Sequence, residues 1–180
     1  MRAFISINIP NPISVNFEGF KNHVKFKAVD AQNIHLTFKF LGEITPKDAE
    51  EISNALNFIE NERKFKISLK EVSAFPNEKY VRVLCIGVAE GNRKICELQK
   101  KIDDALFSKF KFFPEKDFVP HLTIARVKYV HDKAALKAFI EKYNDFEFLK
   151  FTAEKVSLMQ SELRTEGPIY SEIKAFLLKD

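Results

Sequence analysis

The chain reads as an α+β protein of two pseudo-symmetric, intertwined lobes around a central cleft. Three observations predict this. Segments with period-two alternation of apolar and polar residues are interspersed with amphipathic helical segments. A tetrad, His-Leu-Thr followed by an apolar residue, occurs twice, in NIHLTFKFLGE (residues 33–43) and FVPHLTIARVK (residues 118–128). The two copies lie nearly half a chain apart, each in the same coarse succession of helix, His-bearing strand, helix and strands. No linker, low-complexity tract or long charge run intervenes, so residues 1–180 are expected to form one domain.

The elements follow in order. Residues 2–9 alternate, with Ala3, Ile5, Ile7 and Ile9 on one face and Arg2, Phe4, Ser6 and Asn8 on the other, which predicts a strand. Pro12 to about Val24 has Ile13, Phe17 and Phe20 at helical spacing and is expected to be a helix. Residues 33–41 alternate again. Thr45-Pro46 opens a helix reaching about Asn61, because a threonine oxygen caps free N–H groups and proline is tolerated in the first turn. Residues 65–75 and 79–89 are expected to pair around a turn at Pro76-Asn77-Glu78. Residues 92–110 carry a helical stripe of Ile95, Leu98, Ile102, Leu106 and Phe110. Residues 119–129 are a strand, His131 to about Tyr143 a helix, and residues 147–160 and 168–178 strands.

Composition narrows the class. Hydrophobic residues at 46% and charged residues at 30% suit a folded, soluble domain rather than a disordered one. A net charge of +4 suits an anionic ligand without requiring one. Cys85 and Cys96 have no C-x-x-C spacing, and Cys85 sits in an apolar run, so buried thiols are expected rather than a disulfide or a metal knuckle. The opening MRAFISINIP is broken by Asn8 and Pro10 and carries no cleavage-like site, so it is not read as a signal peptide. No segment approaches the roughly 18 apolar residues of a membrane span. An intracellular, cytoplasmic protein with no membrane partner is expected.

The tetrads carry the chemistry. In a strand, residues i and i+2 share a face. His35 and Thr37 therefore face one way, with Leu36, Phe38 and Phe40 opposite. His121 and Thr123 share a face, with Leu122, Ile124 and Val127 broadly opposite. Two lobes related by a pseudo-twofold would bring both imidazoles and both hydroxyls into one cleft. In-line attack on a phosphodiester suits such a set. One neutral imidazole takes a proton from the attacking water, and one protonated imidazole gives a proton to the departing oxygen. The Thr hydroxyls can donate to the non-bridging oxygens, where charge builds. This scheme requires no metal and no cofactor, and ligand spacing such as H-E-x-x-H is absent from the sequence.

These residues resemble the 2H phosphoesterase superfamily and, within it, the RNA 2′,3′-cyclic phosphodiesterases, also called the 2′-5′ RNA ligase family. The resemblance covers nearly the whole chain: RAFISINIP at the start, the first tetrad with Leu41-Gly42-Glu43, the second inside VPHLTIAR, and LMQSELRTEGPIYSEI at residues 158–173. It implies two lobes, each an antiparallel sheet with helices packed outside. It implies hydrolysis of RNA 3′ ends, or tRNA fragments, bearing a 2′,3′-cyclic phosphate, to a 2′-phosphate. His35 would be the acid, His121 the base, and Thr37 and Thr123 the phosphate holders. It also implies that some members join RNA ends through 2′-5′ linkages without ATP. A monomer is expected. ATP-independent 2′-5′ RNA ligation as the main activity, an RNA-end-binding module without catalysis, and an enzyme for another small 2′,3′-cyclic or 2′-5′ linked nucleotide are the competing readings.

Further candidates surround the tetrads. In the family an arginine at the place of Arg126 helps bind the nucleotide. Strict alternation puts Arg126 opposite His121, so it needs a bulge or strand end to take part. Phe4, on the polar face of its strand, is a candidate base-stacking platform, with a core role as the plainer reading. Tyr170 and Ser161 in the closing block are candidate cleft residues. His23 and His131 have no Thr at i+2 and are read as surface histidines. Lys21, Lys25 and Lys27, or Lys100, Lys101 and Lys109, could steer RNA, with a solvated helix face as the plainer reading.

Overall fold

The computed structural model describes residues 1–165 and 167–180; Glu166, within the closing block, lies outside the described residues. The strands are β1 (Arg2–Asn8), β2 (Val24–Ala28), β3 (His35–Glu43), β4 (Phe65–Phe75), β5 (Val83–Glu90), β6 (His121–Val130), β7 (Glu147–Ala153), β8 (Lys155–Leu163) and β9 (Pro168–Leu177). The helices are α1 (Pro46–Ala55), α2 (Asn92–Phe110) and α3 (Lys133–Lys142). Thr45 caps α1 in a capping box: its side chain accepts from the Asp48 N–H, and the Asp48 carboxylate accepts from the Thr45 N–H. Gly91 starts α2 at φ 88°, where a Cβ would stand 2.5 Å from the Lys66 carbonyl oxygen. Only glycine fits that approach.

The fold is α+β with antiparallel strand pairing, in the order β7-β4-β5-β6-β3-β1-β8-β9, and β2 joins the flank of β6. That order reads as a palindrome about the β6–β3 contact. The two His-bearing strands stand at the centre, flanked by β5 and β1, then β4 and β8, then β7 and β9. The lobes are therefore not the two halves of the chain. One holds β4 to β7; the other joins β1 and β3 to the C-terminal hairpin β8–β9. The physical reason is that β1 is buried along its length and needs a partner on each edge, and β8 supplies the second.

Several element boundaries differ from the sequence reading. The strand read over 79–89 begins only at Val83, because the turn after Phe75 runs on to Arg82, whose N–H donates to the Phe75 carbonyl oxygen. No α-helix forms over 12–24: Gly19 sits at φ 75°, outside the right-handed helical range, and among the described residues the only helical turn before β2 is a 3-10 turn over Phe20–Asn22. Ile13 and Phe20 are buried all the same, and the Phe20 ring stacks 4.1 Å from that of Phe139. The residues that follow, from Val24, form β2, which alternation over so few residues did not reveal. The first helix ends at Ala55 and continues as a 3-10 turn over Asn57–Asn61. Residues 147–160 divide at Glu154, where the chain leaves one lobe and enters the other.

The α2 stripe of Ile95, Leu98, Ile102 and Leu106 is fully buried, and α2 packs on β3 and α1. Cys85 and Cys96 are free thiols. Among the described residues, no helix is long and apolar enough to cross a membrane.

Candidate active site

The two His-bearing strands pair at one residue each: Leu36 stands opposite Leu122, antiparallel. One step either way along that register sets His35 across from Thr123 and Thr37 across from His121. Cross-strand neighbours share a face. The four polar side chains therefore form a quartet with the histidines on one diagonal and the threonines on the other. Both leucines point to the core, at 1% and 0% exposure. All four quartet residues line one cavity of about 350 Å³.

Each strand then bulges at the same offset. The ladder to β1 steps from Thr37 to Lys39, leaving Phe38 extra; the ladder to β5 steps from Thr123 to Ala125, leaving Ile124 extra. A bulge inverts the alternation beyond it. Phe38 and Lys39 are both buried, as are Ile124 and Ala125. The next residues, Phe40 and Arg126, emerge exposed on the cleft side and line the cavity. The bulge that Arg126 needed is thus present. Phe40 departs from the reading that put it opposite His35: it is 65% exposed and faces the cleft for the same reason. Phe40 and Arg126 occupy equivalent places on the two walls, five residues after their histidines.

Both imidazoles are held alike. His35 Nδ1 lies 2.7 Å from the Asn33 carbonyl oxygen, and His121 Nδ1 lies 2.7 Å from that of Val119. A carbonyl only accepts, so Nδ1 carries the hydrogen and Nε2 is the free nitrogen on both rings. Their surroundings differ. His35 stacks on Phe4 at 4.7 Å and meets the Tyr170 ring edge-on at 5.2 Å. Burial lowers its pKa from the ordinary histidine value; the hydrogen bond to Asn33 opposes this, and the positive charge of Arg126 adds to it. His121 has Phe75 beside it at 5.9 Å, a ring that is itself half exposed. Burial raises the Tyr170 pKa, which keeps its phenol protonated.

The other candidates divide. Tyr170 lines the cleft. Phe4 reaches the site but is only 3% exposed, sealed by His35 and Tyr170, so it offers no free face to a base and instead supports His35. Ser161 does not line the cavity: β8 is two strands from β3, and a serine is too short to span that gap where the Tyr170 ring succeeds. His23 lies 3.4 Å from Asp132, and His131 lies against Tyr129 at 4.6 Å; both are outside the cleft wall.

One feature was invisible in the sequence. Lys39, buried beside the bulge, lies 2.6 Å from Asp103 of α2 and donates to the Phe113 carbonyl oxygen at 2.8 Å. Asp103 also accepts from Gln99 and from the Glu115 N–H. The first His-bearing strand is thereby tied to the loop that leads into the second.

The LigT-like phosphoesterase family model matches residues 6–85 and again 86–170. The chain belongs to that family. The two matches carry one tetrad each. A curated RNA 2′,3′-cyclic phosphodiesterase of Methanocaldococcus jannaschii is 41% identical over 177 residues, covering 97% of this chain and 99% of that protein. One of Aquifex aeolicus is 36% identical, covering 99% and 97%. The crystal structure of TT0787 of Thermus thermophilus superposes with a TM-score of 0.74 at 25% identity, over 99% of this chain and 98% of that one. The LigT-like phosphoesterase fold also matches Escherichia coli LigT complexed with 3′-AMP, at a TM-score of 0.76, 20% identity and the same coverage.

Proposed function

We propose that this chain hydrolyses the terminal 2′,3′-cyclic phosphate of RNA to a 2′-phosphate, using the His-Thr quartet and no metal ion. The observation that carries the reading is the single Leu36–Leu122 pairing, which turns two sequence tetrads into one quartet. The curated relatives named as RNA 2′,3′-cyclic phosphodiesterases supply the substrate class.

The cyclic phosphate sits over the quartet, with its non-bridging oxygens accepting from the Thr37 and Thr123 hydroxyls. His121, neutral and hydrogen-bonded through Nδ1, takes a proton from water at Nε2 as the water oxygen attacks phosphorus. The P–O3′ bond breaks, and O3′ takes the proton from Nε2 of His35. The product has a free 3′-hydroxyl and a 2′-phosphate, and each histidine has exchanged its protonation state. The burial that lowers the His35 pKa disfavours its acid form before substrate binds. A bound phosphate brings negative charge beside it and restores that form. Phe40 and Arg126, planar groups on opposite walls, offer stacking faces to the terminal base.

The test is an oligoribonucleotide ending in 2′,3′-cyclic phosphate, incubated with EDTA and wild type, His35→Ala or His121→Ala. The expected product resists a 3′-phosphate-specific phosphatase, and both variants lose turnover. Tight binding without turnover by wild type would replace this reading with an RNA-end-binding module.

A further inference from the structure

We propose that the outer face of β2 and β6 is a track for the RNA strand leading to the cyclic phosphate, so that the substrate is a chain several nucleotides long; this rests on the function proposed above. Lys27 and Arg126 are direct cross-strand partners, and both line the cleft. Like charges so placed destabilise a sheet. Neither forms an ion pair among the described residues; Asp30 and Glu115 are the carboxylates on the same cavity wall. Two residues further along β2, Lys25 faces Tyr129. A third irregularity, which passes over Lys128, keeps Tyr129 on the face of Arg126 although the two are an odd number of residues apart. Tyr129 is 60% exposed, with its ring edge-on to His131.

The row therefore runs from the cleft as two cations, then a cation with an exposed aromatic ring. Cations for phosphates and rings for bases are what a single strand needs. Lysines on β2 also protect an open sheet edge, since among the described residues β2 pairs only with β6. Edge protection explains neither an arginine set opposite a lysine nor a bare tyrosine. In the other lysine cluster Lys101 pairs with Glu62 and Lys109 with Glu51, and Lys100 does not line the cavity. Continuity with the cleft and positive charge fix the occupant as the polyanionic RNA strand.

The experiment measures kcat/KM for cyclic-phosphate-ended oligoribonucleotides of one to six nucleotides, at two salt concentrations. Wild type is compared with Lys25→Glu/Tyr129→Ala and with Lys100→Glu, the same charge change on α2. Wild type should gain about tenfold from one nucleotide to three or more, as stacking of one base on an aromatic ring allows. The double variant should lose that gain, and its salt slope should fall by about 0.7 for the lost phosphate contact. Lys100→Glu should keep the gain. Equal kcat/KM at all lengths, or a gain retained by the double variant, overturns the track. Failure to turn over cyclic-phosphate ends of any length overturns the function itself, which separates the two outcomes.

Discussion

The β3 wall and the β6 wall of the cleft start from nearly the same sequence, HLTFKF and HLTIAR, and end as different surfaces. Both present a histidine and a threonine, both bulge one residue later, and both turn the sixth residue of the motif into the cleft. On β3 that residue is Phe40, the histidine is packed between Phe4 and Tyr170, and Lys39 is buried against Asp103. On β6 it is Arg126, the buried residue before it is Ala125, and the histidine has one half-exposed ring beside it. The lesson is that duplicated strand geometry sets where groups project, while the flanking residues set how dry each histidine is. One wall is a tight aromatic support; the other is open and cationic, and it continues into the Lys25–Tyr129 row.

This contrast can be broken at several points. Replacing either histidine with Asn should cut kcat by about 10² to 10⁴-fold, the usual worth of a positioned acid or base. Near-wild-type turnover by either variant would mean that the walls do not act as a pair. The buried Lys39–Asp103 pair comes next. Lys39→Met should destabilise the fold by about 3–5 kcal/mol, because it strands a buried carboxylate. The double change Lys39→Met/Asp103→Leu should recover most of that in urea unfolding. An additive double variant would show that the two side chains are not coupled.

Phe40→Ala tests the aromatic wall. It should raise KM for RNA by about 10-fold or more, as loss of roughly 1–3 kcal/mol of base stacking allows, with kcat little changed. A kcat loss at constant KM would place Phe40 in support of the catalytic groups instead. The smallest effect is electrostatic. Arg126 contributes to lowering the His35 pKa, so Arg126→Gln should move the His35 ring titration upward, as followed by NMR. The direction follows from removing a like charge, which favours the imidazolium form. The absence of an upward move would show that the Arg126 charge does not act on His35.

The α+β class, most strands and the helices α1, α2 and α3 were legible in the chain, because period-two and period-3.6 alternation are local. Each His–Thr pair was legible too, since i and i+2 share a strand face whatever the strand pairs with, and the repeat suggested that the two pairs meet. The register that makes them a quartet came from the Leu36–Leu122 pairing. Arg126 was read as needing a bulge, but its presence could not be read. A bulge belongs to a pair of strands: it appears only when Thr37 and Thr123 are set against Ser6 and Cys85 in their ladders. That is why Phe40 was placed on the wrong face and Lys39 was not suspected of being buried. The same reasoning covers Phe4, whose strand face was legible but whose sealing by His35 and Tyr170 was not. Residues 12–24 mark the opposite failure: apolar spacing suggested a helix, and the left-handed Gly19 with aromatic packing against α3 decided otherwise. Residue types and their alternation, then, determined which groups this protein brings to its cleft. Only tertiary pairing decided which of them face it, because facing depends on the partner strand and a sequence does not name its partners.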